Sequence, residues 1–150
     1  MQNKEKQALF REANAFYELA EHGRKNISEQ KFVESYIPYI VNMSFATELY
    51  LKLLLIHNGK TIHYLKKLGH SLHLLYNELE QSQKDKIYES FNKPLIYNIN
   101  AELEQINTAF QDWRYLVLNK ANNTLTHLQY KPFFIKEFNE ILQNMCENIF

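Results

Sequence analysis

The chain has 150 residues, enough for one domain with its own core, and 45% of them are hydrophobic, which excludes an intrinsically disordered segment. Three glycines and three prolines are too few for a sandwich or barrel built from many tight turns. A formal net charge of zero leaves no overall basic excess for general nucleic-acid binding, so any RNA contact has to be local, and no DNA-specific binding is expected.

In chain order, Leu9, Phe10, Ala13, Phe16, Tyr17 and Ala20 recur at steps of three and four and predict a helix over about 4–22, with Gly23 as its stop. A polar connection, "RKNISEQKFVES", follows. A second helix is predicted to start near Ile37, with Pro38 in its first turn, and to run to His57. Apolar residues lie all round it, so it is expected at the centre of the fold. Its most apolar window, Ile37 to Ile56, contains Glu48 and Lys52, which argues for a buried soluble helix and against a membrane span.

"GKTIHYLKKLGH" reads as a loop. Ser71 is the expected cap of a short helix, "LHLLYNELE", and Ser82 that of the next, which is interrupted near Pro94. Asn100 is the expected cap of a fifth helix over about 101–118, with Leu103, Ile106, Phe110, Trp113 and Val117 as its core stripe. After the polar run "NKANNTLTHLQYK", Pro132 opens a last helix with Phe134, Ile135, Phe138, Ile141, Leu142 and Met145 on its inner face. No repeat, linker or shift in composition marks a second domain, so residues 1–150 read as one all-α bundle of five to six helices.

Within this apolar pattern, Glu48 interrupts the stripe of Ile37, Val41, Ser44, Leu51 and Leu55. Lys52 stands one turn later in the favourable Glu-before-Lys order. A buried carboxylate needs further donors, and Arg114 and His70 are the candidates: a guanidinium can hold a carboxylate through two parallel hydrogen bonds. The expected polar cluster is therefore Glu48, Lys52, His70 and Arg114. It reads either as an ion network that sets helix register or as an anion or RNA site.

Lys66, Lys67 and His73 are candidate RNA contacts, set against the commoner reading of a solvated basic segment. The histidines at 57, 63, 70 and 73 have no Cys or carboxylate motif beside them, so no metal and no cofactor is expected. Cys146 has no base placed beside it and reads as a residue at the core edge. A single cysteine allows no internal disulfide, and the start, "MQNKEKQALFREAN", lacks the apolar core of a signal peptide; both point to a cytoplasmic setting. Ten phenylalanines and ten tyrosines are more than one small core needs. Some, as in "YIPY" and "KPFF", are expected at the surface and at a partner interface, in keeping with a homodimer.

"SFATELYLKLLLIHNGK", then "LGHSLHLLYNEL", then "FQDWRYLVL" resembles the single-domain bacterial branch of the HEPN superfamily. The matching positions are Glu48, Leu49, Leu51 and Lys52; Gly69, His70 and Leu72; and Trp113, Arg114 and Tyr115, within a stretch from about 37 to 145. The resemblance implies a compact helical bundle, often a homodimer, in antiphage defence, toxin–antitoxin or RNA-processing systems. Many such proteins are metal-independent ribonucleases whose site pairs an Arg and a His with about four to six residues between them on one helix and is completed across a dimer interface. In this chain none of Arg11, Arg24 and Arg114 has a His in that window. Lys52 before His57, Lys67 before His73 and Lys120 before His127 have suitable gaps, but lysine lacks the flat fork of arginine. Two expectations follow. One is a module that acts through a protein or RNA partner without standard cleavage. The other is an endoribonuclease with a non-standard site, in which Arg114 holds the phosphate and His70 or His127 moves the proton.

Overall fold

The structure is a computed structural model that describes residues 3–25, 32–92, 98–107 and 132–150. Among the described residues it contains seven helices and no strand: α1 (Asn3–Lys25), α2 (Phe32–His57), α3 (Ile62–Leu68), α4 (Leu72–Asn77), α5 (Gln81–Ser90), α6 (Ile99–Asn107) and α7 (Pro132–Glu147). The all-α class expected from the periodicity is the class observed.

α2 is the axis of the bundle. α1 lies along it, and α4, α6 and α7 pack on its other sides. Ile40, Met43, Ala46, Tyr50, Leu51, Leu53 and Leu55 are fully buried, which is why its apolar residues run all round rather than along one stripe. The Pro38–His57 segment is long and apolar enough to cross a membrane by length and composition, yet its window is 67% buried inside the fold, as suits a core helix. The inner face of α7 is as expected: Phe134, Ile135, Phe138, Ile141 and Leu142 are buried, and Met145 packs against the same core. Phe134 and Phe138 stack with Phe91, which closes the far end of the core beyond α5.

Several boundaries differ from the periodic reading. Gly23 does not stop α1, which continues to Lys25. A helical glycine costs only about 1 kcal/mol, and the Arg24–Glu21 pair together with three basic residues in the last turn favours continuation. α2 begins at Phe32, so Pro38 sits inside the helix and not in its first turn. Its missing donor is offset by the burial of Tyr36, Tyr39 and Ile40 around it. That burial also corrects the expectation for "YIPY": both tyrosines face the core. In "KPFF", Phe133 is 74% exposed while Phe134 is buried.

The segment read as a loop holds α3. The Thr61 side chain accepts from the Tyr64 N–H at its start, and Gly69, at φ 65°, ends it. α5 is capped by Glu80, not Ser82: the Glu80 and Gln83 side chains form a reciprocal capping box. α6 is capped by Asn98 rather than Asn100, through the Ala101 N–H to Asn98 Oδ1 at 3.1 Å. Leu103 and Ile106 are buried as their spacing requires. Pro94, Phe110, Trp113 and Val117 lie outside the described residues.

Candidate functional site

The site grows from a local conflict in α2. Glu48 occupies a core-facing position and is 7% exposed. Its carboxylate meets two donors of different origin. Lys52, one helical turn on, places Nζ 2.5 Å from Oε1. His70 stands in the tight turn between α3 and α4, after Gly69, and brings Nδ1 to 2.9 Å from Oε1 and 3.0 Å from Oε2. Since a carboxylate only accepts, Nδ1 carries the proton in this pair. The imidazole is itself 84% exposed, so Glu48 anchors a ring that stands in solvent with Nε2 away from the anchor. The structure thus brings together Glu48, Lys52 and His70. Arg114, the fourth expected member, lies outside the described residues, as do His127, Lys120, Trp113 and Tyr115.

The turn that carries His70 is fastened from α6. Asn107 Oδ1 accepts from the Leu72 N–H at 2.5 Å, and Asn107 Nδ2 donates to Ser71 Oγ at 3.0 Å. Ser71 is the residue before α4, but its side chain makes no capping bond to the helix. Asn107 does that work from another element, and Ser71 Oγ pairs with His73 Nδ1 at 3.1 Å. His73, a candidate RNA contact, is half-buried beside Ser71. Lys66 and Lys67, the other candidates, are exposed on α3 together with His63. Lys60 is taken up by Glu78 at 2.9 Å and lies over the Tyr64 ring. Hydrogen bonds from Lys60 and then Tyr64 hold the Glu78 carboxyl below its ordinary range.

Two buried groups elsewhere limit the chemistry. Cys146 is fully buried, deeper than a core-edge position, and its Sγ contacts the Tyr50 carbonyl at 3.6 Å. Burial pushes its thiol well above the usual range, so no thiolate nucleophile is available there. Asn139, which the apolar pattern of α7 conceals, is fully buried. Its Nδ2 donates to the Ile135 and Met43 carbonyls at 2.9 and 3.2 Å, and the hydroxyl of Thr47 lies 3.1 Å from its Oδ1. This polar knot locks α7 onto α2. Among the described residues no three His, Cys, Asp or Glu side chains gather as a metal-ligand set.

An open groove of about 420 Å³ adjoins the cluster, between α1 and α3, with Lys52 and Ile56 of α2 at its base. Lys52 thus belongs to both features. No family model, curated protein or solved structure matches the chain.

Proposed function

We propose that the chain is a HEPN-like helical module that acts as a cytoplasmic homodimer through a protein or RNA partner, in antiphage defence or a toxin–antitoxin system, and does not use the standard Arg/His cleavage chemistry. The observation that carries this reading is the commitment of Glu48. Its carboxylate is occupied by Lys52 and His70, so a buried charge among the motif residues ties α2 to the α3–α4 turn. The motif order and the helical class support the family resemblance. The lone buried Cys146 suits a reducing compartment. Phe133 and Leu19, 74% and 58% exposed, are apolar surface that a homodimer of about 1,200 Å² or more would cover in part.

The test combines two measurements on the purified chain. Light scattering is expected to give twice the monomer mass, and single-stranded RNA incubated with excess protein and chelator is expected to stay intact. A monomer at all concentrations, or cleavage that co-purifies and disappears on substitution of Arg114 or His70, overturns the reading.

One observation favours a second reading, a metal-independent endoribonuclease. His70 has Nδ1 held by a buried carboxylate and the rest of its ring in solvent, the arrangement of a positioned general acid or base. Arg114 would then hold the phosphate, with His127 as the other acid/base candidate. This reading expects chelator-resistant cleavage that His70→Ala or Arg114→Ala removes from a protein that keeps its helix content.

A further inference from the structure

The groove between α1 and α3 has a regular construction. On α1 its wall is Glu5, Ala8, Leu9 and Glu12, spaced as one ridge of a helix over two turns. On α3 the opposite wall is Ile62, Leu65 and Lys66, again at helical spacing, and Ile56 of α2 contributes to the floor. Lys52, paired with Glu48, shares that floor; the other central residues are aliphatic, Glu5 and Glu12 line one rim and Lys66 the other. Ile62, in the first turn of α3, leaves 52% of its surface in water at the groove edge.

We propose that this groove docks a short amphipathic helix from a protein partner, with an aliphatic stripe inward, basic residues on the flank facing Glu12 and acidic residues on the flank facing Lys66. The proposal deepens the interaction-module reading and rests on it. Charge complementarity selects the occupant. Glu12 on the α1 rim disfavours a nucleic-acid backbone there. A second copy whose two-fold axis passes through the groove would oppose two concave surfaces, which do not fill one another. A helix is convex, and the seven-residue step from Glu5 to Glu12, about 10 Å, matches the i, i+3/i+4, i+7 anchors of a helix laid in a groove.

The test is fluorescence anisotropy of the full-length chain with two labelled synthetic helices, each about four turns long. Both carry the same leucine stripe. One has lysines along one flank of the stripe and glutamates along the other; the second has lysines along both flanks. The matched peptide is expected to bind at least about tenfold more tightly. Ile62→Glu, at a half-exposed first-turn position where a carboxylate suits the helix, is expected to weaken it by a similar factor. Lys66→Glu, on the exposed rim, is expected to erase or invert the preference, and it provides an independent reading if Ile62→Glu loses helix content. Equal binding of the two peptides, no binding of either, or indifference to both substitutions overturns the proposal. So does a dimer that Ile62→Glu converts to monomer, which makes a second copy the occupant, or a single-stranded RNA oligonucleotide whose binding both substitutions weaken. Failure of the interaction-module reading shows separately, as RNA cleavage lost in His70→Ala, a residue outside the groove.

Discussion

At the scale of single residues, the Glu48 cluster is asymmetric, and the asymmetry is measurable. Lys52 is only 20% exposed and neutralises a carboxylate that the core cannot solvate. Replacing it by methionine keeps the stem and strands the charge, so Lys52→Met is expected to lower unfolding free energy by about 1–3 kcal/mol, below the full cost of breaking a buried pair because some water reaches the site. His70 shares the same carboxylate from solvent, where exposed ion pairs contribute less than about 1 kcal/mol. His70→Ala should therefore be nearly silent in urea unfolding. Equal costs for the two substitutions would show that the cluster is not organised around Lys52. The need for donors at Glu48 was legible, because a charge on an apolar stripe has to be compensated, and His70, just before the start of α4, was one candidate beside Arg114. Asn139 was not legible. A polar residue in an amphipathic helix ordinarily faces water, and only the approach of Met43 and Thr47 from α2 makes burial favourable.

At the scale of elements, long helices and short ones behaved differently. α1, α2 and α7 extend over enough turns for apolar periodicity to declare them, and their errors are confined to ends, where a glycine or proline costs less than the tertiary packing returns. α3 and α4, with seven and six residues, are too short to stand alone, and their existence depends on what they pack against. α4 shows the dependence most clearly, since its first-turn donor at Leu72 is satisfied by Asn107 of α6. Asn107→Ala is expected to cost about 1–2 kcal/mol in urea unfolding and to speed hydrogen exchange in α4 selectively. Ser71→Ala, which removes no helix cap, should cost less. The reverse order would return the capping role to Ser71. The candidate RNA segment changes character in the same way: as a helix, it directs Lys66 to the groove rim and leaves Lys60 paired with Glu78.

At the scale of the whole molecule, the interior holds phenols as well as aliphatics, and alkaline pH tests it. Burial raises Tyr39 and Tyr50 far above their ordinary value near 10, and it does the same to Tyr17, where Glu140 adds to the effect. A folded-state value above the unfolded one means that stability is complete below pH 10 and is lost as pH rises beyond it. For a well-buried tyrosine the loss is up to about 1.4 kcal/mol per pH unit. Tyrosinate absorbance and helical circular dichroism followed together above pH 10 should show these phenols ionising only as helix content falls. A single smooth ionisation of all tyrosines with intact helices would contradict their burial.

The sequence by itself determined the helical class, the central place of α2, the inner face of α7 and the conflict at Glu48. Each of these follows from side chains a few residues apart on one helix, where geometry is set locally. Tertiary structure alone decided that Tyr36 and Tyr39 turn inward, that Asn107 caps another helix, that Asn139 ties α7 to α2, and that α1 and α3 stand apart with a groove of mixed charge between them. These features depend on groups remote in the chain meeting at hydrogen-bonding or van der Waals distance, and no local period encodes which remote partner arrives.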